Sequence, residues 1–199
     1  MSDQKPDPSR RRFLTRLTTG VGAIGVAFAA TPFILSMNPS ARARAAGAPV
    51  EQDISKLEPG QMITIEWQGK PVWIVNRTPE MLATLATDTA KLSDPDSDVP
   101  QQPEYAKNGT RSIKPELLVL VGICTHLGCS PQKVFEMGAA SDLGDDWPGG
   151  FFCPCHGSKF DLAGRVYKDV PAPTNLVVPP YQYLSDTKLL IGTDTKGVA

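Results

Sequence analysis

Histidine and cysteine are scarce in this chain, two and four residues respectively among 199. All six fall between positions 124 and 156. A chain that confines its soft ligands to one short interval is building one metal or redox site there. An excess of either charge is also lacking: 20 Lys and Arg face 21 Asp and Glu, for a net charge of −1. That balance gives no argument for a nucleic-acid partner. No internal repeat is visible. The haem-attachment signature is missing too, because Cys153-Pro154-Cys155-His156 has one residue between its cysteines where two are required.

What is present is a pair of six-residue segments, Cys124-Thr125-His126-Leu127-Gly128-Cys129 and Cys153-Pro154-Cys155-His156-Gly157-Ser158. Their glycine and proline content places both on loops. As ligands they read Cys-x-His, then Cys-x-x-His, with Cys129 and Cys155 left over. Three readings compete. A structural zinc site needs four ligands in a tetrahedron and leaves the spare pair unexplained. Two disulfides, in any of three connectivities, leave both histidines unexplained. A Rieske 2Fe–2S centre, in which two histidines replace two cysteines on one iron, accounts for all six.

The two segments resemble those of the Rieske iron–sulfur subunits of ubiquinol–cytochrome c reductases, the cytochrome bc-type complexes. Lys114-Pro115-Glu116 before the apolar run Leu117–Ile123, Pro171-Ala172-Pro173-Thr174-Asn175-Leu176, and Pro179-Pro180-Tyr181 leading to Gly192 are similar to the same family. The resemblance implies one 2Fe–2S cluster as cofactor, held by Cys124, His126, Cys153 and His156. It implies that His156 meets the quinol and that Ser158 donates a hydrogen bond to a cluster sulfur. It further implies a cytochrome b subunit, a membrane-anchored cytochrome c subunit and quinol as partners, within a dimeric quinol–cytochrome c oxidoreductase. Cys129 and Cys155 read as a disulfide joining the two loops, the other reading being two free thiols; a disulfide requires an oxidising compartment. Gly128 and Gly157 let the backbone approach the cluster, and Leu127 and Pro154 shield it from water. Other exported Rieske proteins, of the cytochrome bf-type or arsenite oxidase kind, are the alternative.

Two imidazoles in place of two thiolates make a cluster less negative and easier to reduce. Rieske potentials accordingly run from roughly −150 to +300 mV, against about −400 mV for plant-type ferredoxins. An imidazole ligand also couples a proton to the electron. The chain departs from its family at one point. Where a tyrosine usually follows two residues after the serine, this chain has Phe160, which cannot donate to a ligand sulfur. A lower midpoint potential is the expected consequence.

Arg10, Arg11 and Arg12 ahead of Phe13-Leu14 form a twin-arginine export signal, against the reading of an ordinary secretory n-region. Leu17 to Met37 carries no charge. At about 1.5 Å per residue it reaches roughly 30 Å, enough for one transmembrane helix. Retention as an anchor is expected, with cleavage near Ala41-Arg42-Ala43 or Ala43-Arg44-Ala45 as the alternative. Arginines before the span place residues 1–16 in the cytoplasm, so that an inner-membrane protein presents its head to the periplasm. Residues 38–50 read as a flexible tether, which in the family is a hinge.

Residues 51–199 are predicted to form an antiparallel β head, making the chain mainly β, with the two loops on a small subdomain at about 122–170. Alternation at Ile63 and Ile65, the turn Gln68-Gly69-Lys70 and Val72–Val75 predict a hairpin. Thr78 before Pro79 predicts a capped helix to about Ala86. Further strands are expected at Leu117–Ile123, Phe151-Phe152, Lys159–Asp161, Leu176–Val178 and Lys188–Ile191, with Pro171–Pro173 as a third loop beside the site. Residues 88–109 are expected as a surface insertion. The Asp142, Asp145 and Asp146 stretch is read as a solvated loop, with Trp147 as packing.

Overall fold

The computed structural model describes residues 7–41, 43, 47–87 and 89–194. Positions 1–6 of the expected cytoplasmic segment, parts of the tether and of both candidate cleavage sites (42 and 44–46), Asp88 and residues 195–199 lie outside the described residues. The chain divides into two compact units, 1–45 and 46–199.

The first unit contains the helix α1 (Pro8–Ser36), of 29 residues with no buried side chain. It begins ahead of the uncharged run because Asp7 caps it: the Asp7 carboxylate accepts from the Ser9 amide at 2.9 Å, and Pro8 occupies the first turn. Pro32 lies inside the helix without ending it. Its length and composition suffice to cross a membrane.

The second unit builds three antiparallel sheets of three strands each. Strands β2 (Met62–Trp67) and β3 (Lys70–Asn76) form the predicted hairpin. Gln68 and Gly69 connect them with φ of 53° and 70°, the doubly left-handed geometry that matches the twist of a tight hairpin. Beside β3 runs β4 (Leu117–Val121), buried at every position. Thr78 caps α2 (Pro79–Thr84) by accepting from the Met81 amide. A second sheet orders β1 (Val50–Asp53), β9 (Lys188–Ile191) and β8 (Tyr181–Ser185). The third, carrying the sequence-predicted loops, orders β5 (Gln132–Val134), β6 (Gly150–Phe152) and β7 (Lys159–Phe160).

The third sheet and the β2–β3–β4 sheet share one core. Trp73 of β3 stacks on Phe151 of β6 with centroids 5.0 Å apart, and Phe135 meets the same ring edge-on at 5.7 Å. Gly122, directly after β4, is required by this packing, because a Cβ there would run into the Trp73 indole.

One expectation needs correction. Leu176–Val178 forms no strand; it is tied instead by single bonds, Leu176 N–H to Gly164 O, Val178 N–H to Gln101 O, and Val177 O to the Val121 amide. Pro179 and Pro180 follow at once and cannot donate to a ladder. Most described residues of 89–109 lie at the surface, but Leu92, Ser97 and Ala106 are buried, and the Asn175 side-chain amide donates to Asp94 O at 3.0 Å. Asp142, Asp145 and Asp146 are exposed, while Trp147 packs with Leu92 and Tyr167 in a small satellite core.

Candidate metal centre

Both cysteine-bearing segments leave a strand of the shared core and fold into the same frame. In the first, the Cys124 amide donates to Cys129 O at 2.7 Å and the Gly128 amide to Cys124 O at 3.1 Å. In the second, the Cys153 amide donates to Ser158 O at 2.8 Å and the Gly157 amide to Cys153 O at 2.9 Å. The fifth residue is a left-handed glycine in each, Gly128 at φ 83° and Gly157 at φ 78°, a conformation that costs other residues roughly 1–2 kcal/mol.

Across the two loops six side chains meet in pairs. Cys129 and Cys155 form a disulfide across the two loops. Cys124 and Cys153 remain free and buried, 2% exposed each. The sulfurs of Cys129, Cys153 and Cys155 lie within 4.8 Å of one another. Burial pushes the Cys124 thiol up; the His126 amide and the Ser158 hydroxyl act the other way, by hydrogen bonds that favour the thiolate. His126 and His156 meet edge to face, with ring centroids 4.7 Å apart. They differ in exposure: His126 is half-buried, and its Nδ1 has no hydrogen-bond partner among the described residues, whereas His156 is exposed.

A third loop closes the site. The Thr125 hydroxyl donates to Thr174 O at 2.7 Å, and the Ala172 amide donates to the Ser158 hydroxyl at 3.1 Å. The Pro171–Thr174 segment therefore braces both loops at once. Leu127, 72% exposed, and Pro154 stand at the solvent side. Phe160 is fully buried in the core that also contains Cys124 and Cys153. Two soft buried sulfurs and two imidazoles, one with an orphaned inward nitrogen, are a donor set that fits a centre with sulfur on one iron and nitrogen on the other.

Residues 49–182 match the family model of the Rieske [2Fe-2S] domain. Residues 1–40 match that of the Ubiquitinol-cytochrome C reductase Fe-S subunit TAT signal. The chain is 64% identical to the ubiquinol-cytochrome c reductase iron-sulfur subunit of Allochromatium vinosum over 98% of its own length and 93% of the relative's. The chain belongs to the family of Rieske iron–sulfur subunits of ubiquinol–cytochrome c reductase. It is 46% identical to the subunit of the same description from Blastochloris viridis, over 96% of this chain and 97% of that one. Among solved structures, a chain of a hyperthermophilic respiratory Complex III is 26% identical, with a TM-score of 0.47 over 88% of this chain and 98% of that one. Membership brings with it the Rieske 2Fe–2S cofactor and a place in a quinol-oxidising complex.

Sequence reasoning missed one group of buried residues. Arg77, Arg111, Asp161 and Arg165 gather at the turn that follows the second loop, with at most 4% exposure. Nothing in a linear reading marks an arginine as buried, since that residue type is mostly found at the surface.

Proposed function

We propose that Cys124 and Cys153 hold one iron of the cluster and His126 and His156 the other, and that this chain is the quinol-facing electron carrier of its complex. Bound there, the 2Fe–2S centre supplies a one-electron acceptor of raised potential that takes an electron from ubiquinol and delivers it to the membrane-anchored cytochrome c subunit. The chain's own residues do the rest. The exposed imidazole of His156 accepts a hydrogen bond from a quinol hydroxyl through its outer nitrogen and takes up the proton. His126, half-buried, stays out of reach of substrate and completes the ligand set through Nδ1. Leu127 and Pro154 form an apolar rim that excludes water from the quinol contact. The Ser158 hydroxyl, anchored by the Ala172 amide, is placed to donate to the Cys124 sulfur.

The observation that carries this reading is the asymmetry of the histidine pair: two rings in contact, one with an orphaned buried nitrogen, one open to solvent, and two free thiols behind them. The twin-arginine signal supports export of an already folded head, and the arginines in the first turns of α1, ahead of its uncharged run, support a cytoplasmic N-terminus with the head in the periplasm. A cytochrome b subunit beside the quinol site and a dimeric assembly complete the proposal.

Electron paramagnetic resonance of reduced membranes tests it. The wild-type protein is expected to give a Rieske spectrum, and His156→Ala to lose either that spectrum or quinol oxidation. Normal turnover in His156→Ala would remove this residue from its role. A colourless, iron-free wild-type head would remove the ligand set.

A further inference from the structure

Three arginines converge on one turn. Arg77, Arg111 and Arg165 are 2%, 0% and 3% exposed. The turn Asp161–Arg165 follows the second loop, with Asp161 three residues beyond Ser158, at most about 11 Å along the chain. Arg77 donates through Nη1 to Leu162 O at 2.9 Å. Arg111 donates through Nη1 to Ala163 O at 3.1 Å, and through Nη2 to Leu176 O at 2.8 Å and Gln102 Oε1 at 2.9 Å. Arg165 donates through Nε to Asp161 Oδ2 at 2.7 Å. The other carboxylate oxygen of Asp161 accepts from the Ala163 and Arg165 amides.

The charges do not balance. Among the described residues Asp161 is the one carboxylate buried with these three guanidinium groups, and those four groups taken together carry two positive charges in excess. Asp94 and Glu116 act on Arg111 and Arg77 respectively, but from more exposed positions, where water and salt screen them. Arg77 Nε and Arg111 Nε have no hydrogen-bond partner among the described residues. Burial lowers both guanidinium groups to about 10, which still leaves them charged at neutral pH. Burying an unpaired cation costs several kcal/mol; hydrogen bonds to turn carbonyls offset part of that cost, but do not remove the charge.

We propose that the buried arginine group, gathered at the turn that follows the second loop and including Arg111, is an electrostatic positioning device that holds the cluster's reduction potential up. The reduced centre carries one more negative charge than the oxidised one. A fixed excess of positive charge in the low-dielectric interior therefore favours reduction. As a general scale, one unit charge about 12 Å from a redox centre, through an effective dielectric of about 20, changes such an equilibrium about tenfold. This rests on the ligand assignment above, and the experiment keeps the two apart.

Redox titration of Arg111→Met, Arg111→Lys and Asp161→Asn in membranes, followed by the resonance signal of the reduced centre, decides the matter. Arg111→Met keeps an unbranched flexible stem without the charge, and is expected to lower the equilibrium constant for reduction roughly tenfold, about 59 mV for one electron. Arg111→Lys retains the charge and is expected to stay near the wild-type potential. Asp161→Asn removes the opposing charge and is expected to raise it. Equal potentials in the Met and Lys variants overturn the proposal, as does a fall in Asp161→Asn. If Arg111→Met does not accumulate, the sign of the Asp161→Asn shift decides alone. A missing Rieske signal in the wild type indicts the ligand assignment instead.

Discussion

The two cluster loops share a backbone and divide the chemistry. Each opens with a buried free cysteine, closes with a hydrogen bond from that cysteine's amide to the carbonyl of the sixth residue, and turns on a left-handed glycine at the fifth. The contents of the frame differ. Position three holds His126 in the first loop and the disulfide sulfur of Cys155 in the second; position four holds Leu127 and His156; position six holds the other disulfide sulfur, Cys129, and Ser158. A one-residue offset of histidine within the same frame makes one imidazole half-buried and the other exposed. The first loop thus offers an apolar tip and a sheltered ring. The second offers a reachable ring and an inward hydroxyl.

The disulfide is the contact that makes the two loops one site, so breaking it is the largest test of the comparison. Cys155→Ser is expected to lower the stability of the head by about 3 kcal/mol, from the chain entropy released when a closed loop of 26 residues is opened. Thermal unfolding with and without reductant measures this: the wild type should lose stability on reduction, and the variant should be insensitive. A wild-type head equally stable in reductant would mean that the third-loop bonds from Thr125 and Ala172 hold the loops alone.

A smaller test asks whether the frames are equivalent. Gly128→Ala and Gly157→Ala each place a Cβ on a left-handed backbone, at a cost of roughly 1–2 kcal/mol. Neither Cβ would meet a protein atom beyond its chain neighbours within 4 Å, so within the protein the cost is conformational. Equal losses of stability in the two variants are expected from circular dichroism melts. A loss in only one would show that the loops are alike in shape but unequal in strain.

How much of this was legible beforehand follows from how local each signal is. The hairpin at Gln68-Gly69, the capped helix at Thr78 and the buried run at β4 depend on neighbours within a few residues, and a linear reading finds them. The paired loops are legible because six rare residues repeat one pattern. Strand β1 was missed because Val50 continues the tether in sequence; it is a strand only through its pairing with β9, Val50 opposite Ile191. Strand β8 hid behind Pro179-Pro180, although Tyr181 and Tyr183 alternate there. The arginine group was illegible for the same reason at the level of side chains: Arg77, Arg111 and Arg165 are far apart in sequence, and only the Asp161–Arg165 turn brings them together.

The finest test concerns a position where the second loop departs from its family. Phe160 pairs with Phe151 across β6 and β7 and is wholly buried, two residues past the Ser158 hydroxyl. Phe160→Tyr adds one donor to the second loop's side of the site and none to the first. A hydrogen bond to a charged group contributes roughly 1.5–3 kcal/mol. Only its difference between redox states moves the potential, so an upward shift of several tens of mV is expected, with a tenfold change equal to about 59 mV. The melting temperature separates the outcomes. A hydroxyl that reaches a ligand sulfur raises the potential and leaves the melt unchanged. One that finds no acceptor stays buried and unsatisfied, lowers the melt, and leaves the potential where it was. In that case the second loop's polar contribution would end at Ser158, and the lower potential expected from Phe160 would need another source.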